Sequence, residues 1–197
     1  MATRKKSKKQ AIFTIGHSTR TLKELIELLR AHGVRRVIDI RTIPRSRRNP
    51  QYNRETLGPA LRSRNIGYVH MKDLGGLRHA KPNSRNLGWH NASFRGFGDY
   101  MQTAGFEGAL KRAIKLAQLK PSAFMCAEAV PWRCHRSLVA DALEARSIPV
   151  KHIMSASRAN RHKLTSFARV RRRRVTYPSD KPVRHKLTVR KSRQHSK

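Results

Sequence analysis

Between Met125 and Arg136 the sequence reads MCAEAVPWRCHR, which gathers both cysteines of the chain, Glu128, His135 and two arginines. Each type has its own chemistry. A carboxylate such as Glu128 can take a proton from water or bind an amine or a ribose hydroxyl. Cys134 is flanked by Arg133, His135 and Arg136 and precedes a helical pattern. Helix-end amides and nearby cations favour the thiolate, so Cys134 is a candidate nucleophile. Cys126 ends an apolar run and reads as a small buried residue. Arg136 keeps its proton in use, so its expected role is to bind an anion, with His135 beside it. The spacing matches no common zinc pattern, even with His17 added, because there is no second ligand pair and an adjacent Cys and His seldom reach one ion. No metal and no other cofactor is expected.

Strand and helix patterns show what must position these residues. AIFTI at 11–15 reads as a strand, followed by Gly16, His17 and Ser18. A helix follows, with Thr21 and Glu24 at capping-box spacing and Leu22, Leu25, Ile26 and Leu29 on one face. VRRVIDI at 34–40 is a second strand, leading into Arg41, Arg45 and Ser46. Further strands are expected at 66–71, 122–128 and 150–154, with helices between them. The alternation predicts one α/β domain over 11–155, with a mostly parallel five-stranded sheet and helices on both faces. Right-handed crossovers point all the strands the same way, and such sheets bind ligands outside their carboxyl ends.

Every dense polar cluster falls at that edge. Glu128 is the leading acid–base candidate, His17 its helper, and Cys134 the alternative nucleophile. Ser18, Arg41, Arg45, Ser46, His135 and Arg136 are expected to bind an anion or substrate, with amides at the starts of the helices after strands one and four. Asp39, inside an apolar strand, is expected to orient an arginine. Residues 72–98 have no clear periodicity and read as a lid or binding loop. Within them Trp89, Phe94 and Phe97 alternate with His90 and Arg95, a composition suited to stacking on bases.

Charge points to the partner. The 197 residues carry a formal net charge of +34. Residues 1–10 hold five Lys or Arg and no acid, and residues 156–197 hold fifteen and a single acid, Asp180. Both segments are expected to be disordered basic tails, and the domain between them is basic as well. A polyanion, most simply DNA or RNA, is the expected partner. The sequence shows no signal peptide and no apolar run approaching the roughly 20 residues of a membrane span. The expected setting is intracellular, cytoplasmic or nucleoid-associated, with no membrane and with reduced thiols. There is no Gly-x-x-x-x-Gly-Lys phosphate loop, no Gly-x-Gly-x-x-Gly after the first strand, and no arginine six residues after Cys126 as a Cys-x5-Arg phosphatase loop requires.

TIGHST, DIRTIPRS, DLGG, GFGDYM, CAEAVPWRCHR and VKHI occur in that order, and together they resemble the domain of unknown function 488 family over about residues 11–155. The resemblance implies an α/β domain with a shared polar site and supplies no established reaction. The residues themselves favour a nucleic-acid-associated enzyme with hydrolase-type chemistry on a nucleotide or base. The alternatives are thiol-dependent transfer through Cys134 and a non-catalytic module that binds anions or nucleic acid.

Overall fold

A computed structural model describes residues 10–179. The elements run β1 (Ile12–Gly16), α1 (Leu22–Ala31), β2 (Arg36–Asp39), α2 (Arg54–Arg62), β3 (Gly67–His70), α3 (Ala92–Tyr100), α4 (Ala104–Leu119), β4 (Ser122–Cys126), α5 (Arg136–Glu144), β5 (Val150–Ile153), β6 (Ala159–Arg161), β7 (Arg169–Arg171) and β8 (Arg174–Thr176). The main sheet has the order β3-β2-β4-β1-β5-β6 and is parallel except for β6. None of the described helices is long and apolar enough to cross a membrane.

Alternation along the strands assigns side chains to two faces. Ile15, Val37, Ala123 and Met125 meet Leu25, Ile26 and Leu29 of α1 and Leu57 and Leu61 of α2. Ile38, Phe124 and Cys126 point the other way, to Phe97 of α3, Phe106 and Leu110 of α4, and Leu138 and Val139 of α5. The helix after β1 and the helix after β4 therefore lie on opposite faces, although β1 and β4 are neighbours. Their departure in opposite directions opens a crevice at the carboxyl ends of these strands. The expected capping box is present: Glu24 N donates to Thr21 Oγ1 at 3.2 Å, and Thr21 N donates to Glu24 Oε2 at 2.6 Å.

The sheet has six strands where five were expected, and residues 156–179 are folded where a basic tail was expected. β6 pairs antiparallel with β5, and β7 and β8 form a separate hairpin. Ala168, Val175 and Tyr177 join the core on the α3–α5 face, and a set of polar anchors holds the segment as well. Asp141 of α5 is fully buried and accepts from His162 Nε2 (2.8 Å), Thr165 N (2.9 Å), Thr165 Oγ1 (2.7 Å) and Tyr177 Oη (2.8 Å). Tyr177 N also donates to Asn86 Oδ1 at 2.9 Å, and Gln102 Nε2 donates to Val175 O at 2.6 Å. The tail segments expected at 1–9 and 180–197 lie outside the described residues.

Candidate active-site cleft

β1 and β4 continue together past the end of the sheet. His17 N donates to Cys126 O at 2.9 Å and Ser18 N to Ala127 O at 2.8 Å, with Ser18 turning the chain at φ 52°. Gly16 permits this close passage, since a Cβ there would lie 1.8 Å from Glu128 O. The loops after β1, β2 and β4 thereby meet.

On the β2 side, Asp39 organises the floor. It accepts from Arg41 Nε (2.9 Å) and Arg41 Nη2 (2.6 Å) and from Tyr68 Oη (2.7 Å). This is the orienting role expected of it. Arg41 Nη2 also donates to Tyr52 O at 2.8 Å, and Nη1 lies 3.3 Å from His17 Nε2. Most of the Arg41 fork is thus committed within the protein, and one Nη1 hydrogen remains for a ligand. His17 stacks on Tyr52 with centroids 3.9 Å apart, and its Nδ1 donates to Ser18 O at 2.8 Å. Burial lowers the His17 pKa below the ordinary imidazole value, and the neighbouring Arg41 lowers it further. A neutral ring with Nε2 facing Arg41 follows. Burial also pushes the Tyr52 phenol up to about 12.

On the β4 side, the two thiols and His135 converge. His135 Nε2 donates to Ile40 O at 3.1 Å, so Nδ1 carries the lone pair. That lone pair faces Cys134 Sγ at 3.7 Å and Cys126 Sγ at 3.8 Å. A hydrogen bond from Cys134 draws the Cys126 thiol well below its ordinary pKa, and the same bond, with burial, pushes Cys134 up. These opposite directions favour Cys126, and not the Cys134 expected from sequence, as the thiol that ionises first. The strand-end position of Cys126, where the Cys134 thiol donates to it, cannot be seen from the cations around Cys134 in sequence. Gly76 makes room for the imidazole, because a Cβ there would lie 2.4 Å from Nδ1.

Arg136 departs from its expected role. It is almost fully buried, and its terminal nitrogens donate to the backbone oxygens of Glu128 and Ala129. It is a strut under the β4 loop and does not line the cleft. At the start of α1 the Thr21–Glu24 box takes up the Thr21 and Glu24 amides and sets the Glu24 carboxylate beside that end, which disfavours an anion there. Glu128 itself is exposed, accepts from Val130 N at 3.1 Å, and makes no ion pair among the described residues.

Two connected lobes result. One, of about 360 Å³, has Cys126, Cys134 and His135 at its floor and Phe94, Leu77 and Arg133 on its walls. The other, of about 480 Å³, is lined by His17, Ser18, Arg45, Ser46 and Asn49. Arg41, Ile43, Ala127 and Glu128 border both. Ser46 is tied into its loop, its N donating to Asn53 Oδ1 at 2.7 Å and its Oγ accepting from Asn49 N at 3.1 Å. Of the three aromatics expected to stack on bases, only Phe94 reaches the cleft. Phe97 is fully buried in the core. Trp89 packs among Phe94, Phe167 and Tyr177 with centroids 4.7–5.4 Å away. The segment read as a lid or binding loop is partly helical, as α3, and is pinned, because Asp99 accepts from Lys81 N, Ser84 Oγ and Asn86 Nδ2. Tyr52, Tyr68, Ile43 and Leu77 were not singled out from the sequence, and nothing in their local spacing marks them.

The family model described as Domain of unknown function DUF488 matches residues 21–143. No curated protein and no solved structure matches the chain at a significant level.

Proposed function

The chain belongs to the DUF488 family, and from its cleft we propose a nucleic-acid-associated enzyme that hydrolyses a bond in a nucleotide or at a base. The observation that carries this reading is that two lobes of different character meet at Glu128. The lobe walled by Phe94 and Leu77 suits a flat apolar group such as a base. The neighbouring lobe suits a phosphate, with the exposed Arg45, one Nη1 hydrogen of Arg41 and the hydroxyls of Ser18 and Ser46. A volume of about 360 Å³ is within the range typical of small-ligand sites. Glu128, exposed at the border, takes the proton of the attacking water and returns one to the leaving group. His17, neutral and fixed, holds Arg41 in place. Nucleic acid as the wider partner is supported by the charge of the described residues, 33 Lys or Arg against 10 Asp or Glu over 10–179.

The test is product analysis on nucleosides, nucleotides and short single-stranded DNA and RNA incubated with the full chain. Turnover is expected, and Glu128→Gln should lower kcat by roughly 10²–10⁴-fold with an unchanged circular dichroism spectrum. Binding without product, or a wild-type rate in Glu128→Gln, overturns the reading. A second reading, group transfer through a thiolate, is favoured by the placement of Cys126 and Cys134 around His135 in the lobe beside Glu128. It requires Cys126 as the nucleophile and predicts a covalent adduct there.

A further inference from the structure

We propose that Cys126, Cys134 and His135 form a binding site for one zinc ion, with its fourth coordination position open to the cleft. The inference concerns the same site as the enzymatic reading and rests on that reading only for its use; the site itself stands on geometry. The three ligand atoms lie within 4.8 Å of one another. Zinc bound tetrahedrally to sulfur at about 2.3 Å and nitrogen at about 2.0 Å separates neighbouring S and N by about 3.6 Å and two sulfurs by about 3.8 Å. The S–N separations here are 3.7 and 3.8 Å. The S–N distances are thus within a few tenths of an ångström of the coordinated values, and the two sulfurs, within 4.8 Å of each other, close by at most about 1 Å to complete the coordination.

The lone pair of His135 Nδ1 supports the same conclusion. A single lone pair accepts one S–H well, yet two sulfurs converge on it. A cation between the three atoms satisfies all of them. The outer face of the ring is already fixed, with Nε2 donating to Ile40 O at 3.1 Å. A backbone carbonyl on the far nitrogen is the usual support of a metal-bound histidine. Phe97, at 5.1 Å between ring centroids, and Gly76 hold the ring in that orientation.

Adjacent residues reach one point because the chain bends between them. Cys134 is extended (φ −133°, ψ 143°) and His135 is helical (φ −55°, ψ −16°). In a continuous strand the two side chains would point to opposite sides. Two sulfurs and an imidazole select zinc over magnesium or calcium, which prefer oxygen. Three protein ligands with an open position are the pattern of zinc sites that bind substrate. Here that position faces the lobe bordered by Glu128 and Phe94.

The experiment uses the full chain, purified under reducing conditions and loaded with Zn²⁺ or Co²⁺ alone. Elemental analysis should give one zinc per chain. X-ray absorption on the wild-type protein should show two sulfurs at about 2.3 Å and the remaining ligands near about 2.0 Å. Cobalt should give a tetrahedral spectrum with sulfur-to-cobalt charge transfer. Cys126→Ser and Cys134→Ser should each cut that band to about half per bound cobalt and bind zinc at least tenfold more weakly, whereas Glu128→Gln should keep the full equivalent. An absorption spectrum with oxygen ligands only, substoichiometric zinc in the wild type, or unchanged affinity in both cysteine variants overturns the proposal. The wild-type measurements decide even if a variant fails to fold. Turnover by protein that takes up no zinc would sink the zinc site and leave the hydrolase reading standing; a bound zinc with no turnover would do the reverse.

Discussion

Arg136 is 2 % exposed, and its two terminal nitrogens hold the carbonyls of Glu128 and Ala129 while its Nε has no partner. Arg45 is exposed at the rim of the anion lobe. Both read as anion ligands in the sequence, because composition cannot say which way a guanidinium points. The structure separates their roles, and substitution can test that separation. Arg136→Lys keeps the charge and loses the planar fork, so one loop carbonyl loses its partner. The expected cost is about 1–3 kcal/mol, read from the midpoint of denaturant unfolding. Arg45→Gln should leave stability within about 0.5 kcal/mol and weaken phosphate binding. If the Lys variant is as stable as wild type, the strut role is wrong. The same limit on local reading explains the thiols. Cations beside Cys134 are visible in sequence. That Cys126 ends its strand within reach of both Cys134 and His135 is a fact of topology.

Among the elements, β1–β5, α1, α2, α4 and α5 were legible because apolar periodicity and the Thr21–Glu24 box are local signals, whereas α3 (Ala92–Tyr100) lies mostly inside the 72–98 stretch read as an aperiodic loop. The segment from 156 to 179 was not legible either, since polar and apolar contacts with residues distant in sequence hold it. A relay runs through those contacts. Thr14 Oγ1 donates to His152 Nδ1 at 2.6 Å, and His152 Nε2 donates to His162 Nδ1 at 2.9 Å. His162 Nε2 then donates to Asp141 Oδ1 at 2.8 Å. Every donor in this relay meets an acceptor with His152 neutral. Burial, then the charges of His162 and Arg136, lower its pKa from 6.5 to about 3, against the opposing pull of Asp141. The unfolded chain binds this proton near pH 6.5 and the folded protein does not until about pH 3. The stabilisation is therefore complete above about pH 6.5 and is lost as pH falls toward 3. The protein should be about 2–3 kcal/mol less stable at about pH 4.5 than at about pH 7.5, measured by denaturant unfolding. His152→Gln should flatten that slope. A wild-type slope in the variant would remove His152 as its source.

For the molecule as a whole, the excess of positive charge was plain from composition, but where the fold displays it was not. The β7–β8 hairpin turns on Arg172 and Arg173, flanked by the paired Arg171 and Arg174, and all four are exposed. Arg172 and Arg173 have φ of 48° and 68°. A two-residue turn with both centres at positive φ is normally built from Asn and Gly, because other side chains meet their own backbone there at a cost of roughly 1–2 kcal/mol each. Arginine at both positions conflicts with the local rule, and such conflicts concentrate where function needs the side chain. The proposed nucleic-acid partner supplies that need. Replacing the pair, Arg172→Asn with Arg173→Gly, relaxes the turn and removes two cations, so stability and binding should move in opposite directions. Hydrogen exchange in the hairpin should slow, while affinity for duplex DNA falls. Each lost phosphate contact should flatten the slope of log affinity against log salt by about 0.9, so the double variant should flatten it by up to about 2. Slower exchange with an unchanged salt slope would mean that the hairpin does not touch the polyanion, and the arginines at its turn would then need another explanation.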